Sequence, residues 1–310
     1  MATRIAGVLM GLLALASGGP SIFAAANCDR ACLRATLDQY LAALIKHDPA
    51  AAPLFVGFRQ TQNALVERLG TGAWTTITGL GRVQRRYLDP AGGQAGYFGI
   101  IDESGGPAIA TLRLKVDDRR ITEAEWIVAR KGEWGPNGPG GNVMNPDSLI
   151  ANPPMERIVP KEARASRDAM IAIANSYFDG LTTHDGSIIL HEPGCIRIEN
   201  GTVMTGRGRG GAPPGDCSSN LEGLNVSIVA ARRYPIVDEE AGVVLGMAVF
   251  LRKPGTATRR NALTEWFFVD NNRIRTIYAA MFYPPADQPV PNWPPFDGNW
   301  PLPPPQPPAK

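Results

Sequence analysis

Histidine is scarce: His47, His184 and His191 are the only ones in 310 residues. No CxxC pair stands near any of them, so the ligand spacing of a zinc site is missing. GxSxG and HExxH are also absent, which excludes an elbow-type serine nucleophile and a zincin centre. The segment Gly206-Arg207-Gly208-Arg209-Gly210-Gly211 lacks the GxxxxGK[ST] order, so it is not a nucleotide-binding loop. No metal and no cofactor is expected. An excess of one charge is lacking too. Lys plus Arg is 31 against 29 for Asp plus Glu, which gives no general pull toward nucleic acid or anionic membrane. Beyond the N-terminal apolar run, no stretch approaches the about 20 apolar residues that span a bilayer.

What is present starts with an export signal. Arg4 supplies a positive n-region, Ile5 to Ala16 a short apolar stretch, Gly18-Gly19-Pro20 a break, and Ala24-Ala25-Ala26 small residues for cleavage. Residues 1–26 read as a signal peptide and the mature chain as secreted or periplasmic, without membrane attachment once cleaved. The alternative is an uncleaved N-terminal anchor. Four cysteines, Cys28, Cys32, Cys195 and Cys217, remain in the mature chain, and an even count in an exported protein favours disulfides. Cys195 and Cys217 flank a Gly/Pro/Arg-rich loop and would close it, worth about 3 kcal/mol on a chain-entropy account. Cys28 and Cys32 have helical i, i+4 spacing and can pair with each other or with something distant.

Length suggests two domains, and an internal repeat supplies them. Tyr40, Leu44 and His47-Asp48 recur with identical spacing as Tyr177, Leu181 and His184-Asp185. Val116-Asp117-Asp118-Arg119-Arg120-Ile121 recurs as Val269-Asp270-Asn271-Asn272-Arg273-Ile274. Between these anchors, the segment starting at Phe58 aligns with the one starting at Ile196, which sets Arg59 against Arg197 and Thr61 against Glu199. Each copy opens with an amphipathic helix, about 30–46 and 167–182, whose apolar residues fall at helical spacing. A strand pair follows, with Asn200-Gly201 as a two-residue hairpin signal. Long strands come last, near 81–88, 95–101, 108–116 and 120–129 in the first copy and 225–237, 242–251, 261–269 and 273–282 in the second. Helices first and an antiparallel meander after is an α+β arrangement. The expected division is 27–131 and 165–284 for the two domains, 132–164 for a Gly/Pro-rich linker, and 285–310 for a proline-rich tail. In that tail Trp293, Phe296 and Trp300 argue for packing on a domain or a partner.

A helix ending in His-Asp, a short helix, a hairpin and long antiparallel strands resemble the SnoaL-like branch of the nuclear-transport-factor-2-like superfamily. The likeness covers about 28–131 and 165–284. It implies two tandem cystatin-like cones, each a curved sheet wrapped on its helices with a pocket inside. Members include isomerases, cyclases, dehydratases, lyases and plain binding modules, so the fold does not settle function. The family pairs through the open face of the sheet, so the resemblance also implies either a pseudo-dimer within one chain or a homodimer.

The candidate chemistry is polar residues on strands. Arg197 and Glu199 alternate with Ile196 and Ile198 and so share one side. Facing the cone interior they would recognise an anionic or hydroxylated molecule and move a proton. Facing out they would be an exposed ion pair of little weight. Glu123 and Glu125 share a face with Ile121 and Ile127, and in an apolar cone one of the two would have a raised pKa; the alternative is a solvated outer face. Their counterparts are Thr276 and Tyr278. Glu265 points opposite to Trp266, and only one of them can face a pocket. His191-Glu192 is a pocket-mouth candidate or a solvated loop. His47-Asp48 and His184-Asp185 read as helix-terminal scaffold, since Asp caps a following helix and His suits a helix C-terminus. The candidate catalytic set is therefore Glu199, His191, Tyr278, Glu123 and Glu125, and the candidate binding set Arg197, Arg59, Tyr177 and Trp266. They point to a cofactor-free lyase, dehydratase or isomerase acting on a small organic molecule. The alternative is a non-catalytic exported module that binds a small ligand or a protein.

Overall fold

The computed structural model describes residues 28–138, 140–206, 215–256 and 259–284. The expected signal peptide (1–26), the expected proline-rich tail (285–310) and most of the Gly206–Gly211 segment lie outside the described residues.

The two copies start alike. Helix α1 (Arg30–Ile45) is capped by Asp29, whose side chain accepts from the Cys32 amide at 2.8 Å, and it buries Leu33, Leu37, Tyr40, Leu41 and Leu44. The corresponding helix of the second copy, Arg167–Thr183, is capped by Ser166 and buries Met170, Ile173, Tyr177, Phe178 and Leu181. Both helices stop at a histidine in the left-handed region, His47 at φ 54° and His184 at φ 61°. Asp48 and Asp185 then cap short 3-10 turns, accepting from the amides of Ala50 and Ser187 at 3.0 and 2.9 Å. The His47 ring lies 2.7 Å from the Trp74 carbonyl and the His184 ring 2.8 Å from the Val226 carbonyl. Backbone geometry and capping account for both His-Asp pairs, which tie the helix ends to the backbone at Trp74 and at Val226.

The first sheet comprises β1 (Leu54–Gln62), β2 (Leu65–Glu67), β3 (Ile77–Asp89), β4 (Gln94–Glu103), β5 (Gly106–Asp117) and β6 (Arg120–Ala129), ordered β2-β1-β6-β5-β4-β3. The second comprises β7 (His191–Glu199), β8 (Thr202–Val203), β9 (Val226–Asp238), β10 (Val243–Arg252), β11 (Asn261–Asp270) and β12 (Arg273–Phe282), ordered β8-β7-β12-β11-β10-β9. Each sheet is antiparallel except where its first strand runs parallel to its last, β1 beside β6 and β7 beside β12. Helix α2 (Ala73–Thr76) drives Trp74 into the first cone. Helix α3 (Pro146–Ala151) lies in the segment that joins the copies, and α4 is the Arg167–Thr183 helix. The fold is α+β, two tandem cystatin-like cones, and the two copies have the same strand order.

Three apolar cores result. One fills the first cone under α1 and one fills the second under α4. The third lies between the outer faces of the sheets and contains Phe98, Ile109, Ile127, Leu245, Met247, Trp266, Phe268 and Tyr278. The central strands are therefore buried on both faces, which is why β10 reads as a nearly continuous apolar run. The contact is reciprocal. Arg30 of the first copy binds Asp238 of the second at 2.8 and 2.9 Å, and Asp238 also accepts from the Leu88 amide at 2.8 Å. Arg167 of the second binds Asp89 of the first at 2.8 Å, and Asp89 accepts from the Val237 amide at 2.9 Å. Thr111 and its repeat counterpart Thr264 meet hydroxyl to hydroxyl at 2.8 Å. Residue pairs that exchange roles in this way are the mark of a twofold relation. Close approach requires glycine at one point. A Cβ on Gly96 would lie 2.5 Å from the Trp266 ring and 2.6 Å from Ile236. Gly96→Ala should therefore cost about 1–3 kcal/mol, read as a lower urea midpoint. An unchanged midpoint would mean the two sheets can separate at no cost.

Candidate functional site

Strand pairing corrects the alignment of the two copies. Arg59 pairs with Glu123 and Gln60 with Ala124, whereas Ile196 pairs with Thr276 and Arg197 with Ile277. Since Glu123 and Ala124 correspond to Thr276 and Ile277, Arg197 corresponds to Gln60 and Glu199 to Gln62. Arg59 is the counterpart of Ile196, not of Arg197. A slip of one residue moves a side chain to the opposite face of a sheet. Arg59 accordingly faces away from the first cone, within 3.9 Å of Glu123.

With the register set, one row of side chains inside the cones decides the difference between the copies. Gln62, Trp126, Leu112 and Tyr97 lie side by side across the first sheet. The same four places in the second sheet hold Glu199, Ala279, Glu265 and Gly246. Three bulky apolar residues have become an alanine, a carboxylic acid and a glycine. In the first cone Trp126 and Trp74 fill the interior, and Trp74 donates to the Gln60 side chain at 2.9 Å. In the second the floor between two carboxyl groups carries only a methyl group. Neighbouring strands lie about 4.8 Å apart, so the Glu199 and Glu265 backbones, two strands apart, are separated by about 10 Å.

Arg197 binds this arrangement together. Its Nη1 donates to the Tyr177 hydroxyl at 2.8 Å, and its Nε lies 2.9 Å from Glu199 Oε1. Burial acts to lower the pKa of the guanidinium, but Tyr177 and Glu199 raise it above its ordinary value, so it stays charged. Burial also raises the Tyr177 hydroxyl above its normal range. Glu265 is fully buried, and neither of its carboxyl oxygens has a hydrogen-bond partner among the described residues. Burial, reinforced by the Glu199 charge and only partly opposed by Arg197, pushes its pKa well above the carboxylate range. Asn261, on the same strand face, is also wholly buried. Its Nδ2 has no hydrogen-bond partner among the described residues, while its Oδ1 accepts from Arg252. Buried polar atoms left in this way cost about 1–3 kcal/mol each.

Other expectations are corrected. Glu123 and Glu125 do not line a cone. A shift in register beside Ile121 sends Ile121 inward, while Glu123 and Glu125 face the second sheet. There Glu125 is bound by Arg113 and by Arg233 of the other copy, the latter at 2.6 Å, and Arg113 also holds Glu123 at 2.6 Å. Burial would raise the Glu125 pKa, but the two guanidiniums win and lower it. Glu125 is thus an ionised clamp between the sheets and not part of a proton relay. Tyr278 and Trp266 also face the intersheet core, where Tyr278 donates to the Asn152 carbonyl at 3.1 Å and Trp266 to the Thr111 hydroxyl at 3.0 Å. Glu265, not Trp266, faces the cone. His191 sits at the opposite end of β7 from Glu199, roughly 25 Å away at strand rise, with Asp216 at 3.5 Å. It cannot act together with Glu199. Cys195 joins Cys217, which ties the loop after β8 to the strand that carries Arg197. Cys28 pairs with Cys32. Among the described residues no group of side chains could hold a metal ion, and no helix is long and apolar enough to cross a membrane.

Residues 163–281 match a family model described as a domain of unknown function (DUF8021). The matched span contains the charged row. A solved protein from Sphaerobacter thermophilus is similar at 18% identity over 37% of this chain and 96% of its own, with a TM-score of 0.29. A protein of unknown function with a cystatin-like fold, from Methylobium petroleophilum PM1, is similar at 17% identity over 40% of this chain and 82% of its own, with a TM-score of 0.30. Curated proteins gave no match.

Proposed function

We propose that the second cone binds a small, largely apolar organic molecule bearing a carbonyl or hydroxyl group and transfers a proton on it, as a lyase, dehydratase or isomerase without a cofactor. One observation carries this reading: the row Glu199–Ala279–Glu265–Gly246 stands where the first cone has Gln62–Trp126–Leu112–Tyr97. Burial that holds one of two neighbouring carboxyl groups protonated marks that group as the acid. Glu265, kept protonated by burial, donates to the ligand oxygen. Glu199, ion-paired with Arg197, accepts the proton, and Arg197 and Tyr177 fix the orientation. Phe267, Ile277 and Leu263 supply apolar walls. The first cone, filled by its tryptophans, is scaffold, and the sheet-to-sheet packing is the intramolecular counterpart of a dimer. The two disulfides suit an oxidising compartment, in keeping with export.

The test is a turnover screen of hydroxylated and carbonyl-bearing metabolites against the mature protein. Once a turned-over compound is in hand, Glu199→Gln and Glu265→Gln should each lower kcat by about 10²–10⁴-fold. Saturable binding with no turnover would leave the pocket and remove the chemistry. Full turnover in both variants would sink the assignment.

A further inference from the structure

A concavity lies at the junction of the copies, lined by none of the residues of the charged row. It is a groove of about 560 Å³ between the start of α1, the end of β3 and the joining segment at 155–158, within the size range of small-molecule sites. Five arginines line it, Arg30, Arg34, Arg85, Arg86 and Arg157, against Glu156 and Glu240. Two of the five are structural. Arg30 is spent on Asp238, Glu240 and the Leu88 carbonyl, and Arg157 on Asp270 and three backbone carbonyls. The other three share two partly exposed carboxylates, and Arg85 also donates to the Pro154 and Gln84 carbonyls at 2.6 and 3.0 Å. Arg34 and Arg86 both reach Asp38, which is 44% exposed, and Arg85 reaches Glu156 at 3.4 Å, which is 74% exposed. Arg86 Nη1 and Arg85 Nη2 make no hydrogen bond among the described residues, although both side chains are more than four-fifths buried.

The twofold relation between the copies sharpens the point. At the mate junction Ile171 stands for Arg34, and a bulge at Tyr234-Pro235 stands for Arg86. Arg233, the register mate of Arg85, is bound to Glu125. Arg34 and Arg86 therefore have no arginine in the matching places of the opposite junction, where the mate of Asp38, Asn175, is held instead by Arg232 and Tyr234 at 3.1 and 2.7 Å. Three guanidiniums gathered at one side of a duplicated scaffold, with compensating carboxylates that can swing into water, form a site for charge-assisted bidentate bonds.

We propose that this groove binds a small organic polyanion, a polycarboxylate or a phosphorylated compound, through Arg34, Arg85 and Arg86. The site is independent of the second cone. The anion displaces Asp38 and Glu156, which turn outward. The experiment is isothermal titration calorimetry of the mature protein with citrate and with pyrophosphate at fixed ionic strength, and the two arms separate carboxylate from phosphate chemistry. One-to-one saturable binding is expected for at least one probe. Arg34→Gln combined with Arg86→Gln should weaken it at least about tenfold. Glu156→Gln, which removes a competing carboxylate without touching an arginine, should tighten it. Should the double variant fail to fold, the Glu156→Gln arm decides alone. The proposal is overturned by no saturable heat with either probe through the millimolar range, by equal affinity in a folded double variant, or by weaker binding in Glu156→Gln.

Discussion

Glu265→Leu should yield a protein that is more stable than the parent at neutral pH and has no turnover. The parent buries a carboxyl group with neither oxygen bonded among the described residues, and leucine is the residue that the first copy carries at the same place, Leu112. Removing the unpartnered acid should gain about 2 kcal/mol. The gain should depend on pH with a definite sign. Burial raises the Glu265 pKa well above its ordinary value, so the folded protein keeps a proton that the unfolded chain releases. Stability from this group is whole below the unfolded pKa and is lost as pH rises through the folded one, at up to about 1.4 kcal/mol per pH unit. Urea denaturation of parent and variant at several pH values from acid to neutral checks it. The parent curve should fall relative to the Glu265→Leu curve as pH rises. Parallel curves would mean that Glu265 is solvated and is no candidate acid.

Glu125→Ala should have the opposite effect and a larger one. This carboxylate is buried between Arg113 of its own sheet and Arg233 of the other copy. Deleting it removes the one carboxylate that Arg113 and Arg233 share across the intersheet layer. Breaking a buried ion pair from one side costs about 3–5 kcal/mol. The two guanidiniums lower the Glu125 pKa, so its contribution is present above the unfolded pKa and fades as pH falls through the folded one. Thermal and urea melts should show the loss at neutral pH and a narrowing gap between parent and variant in acid. Because Glu125 and the second cone lie on opposite faces of the sheets, the folded variant should keep its turnover. A loss below about 1 kcal/mol would show that the cluster is hydrated and does not clamp the sheets.

The repeat, the order of helices and strands and the scaffold role of both His-Asp pairs were legible in the sequence, because helix caps and Asp-rich turns are local and leave local signatures. The faces of the strands were less so. Alternation marks a sheet with one wet face, and here both faces of the central strands are dry, so Glu123 and Glu125 gave no sign of pointing away from the cone. Their partners Arg113 and Arg233 are visible as arginines, but nothing in the chain announces that Arg233 crosses 108 positions to meet Glu125. Both copies carry an arginine in this segment, one residue out of register, so letter matching sets Arg59 against Arg197. The shared offset of His47 to His184 would have set Gln60 against Arg197. Glu265 was visible, with its neighbour Trp266 pointing the other way. Its weight appeared only when pairing showed Gly246 and Ala279 beside it.

Joining the copies in one chain has a consequence for what each can become. In a homodimer every substitution appears twice, once on each side of the axis. An acid buried at the Glu265 position would then strain both cones, and the tryptophans that fill the first cone would fill both. A single polypeptide lifts that constraint, because Leu112 and Glu265 are separate codons. One half can remain a rigid support while the other carries a buried, unpartnered acid that the support does not have to bear.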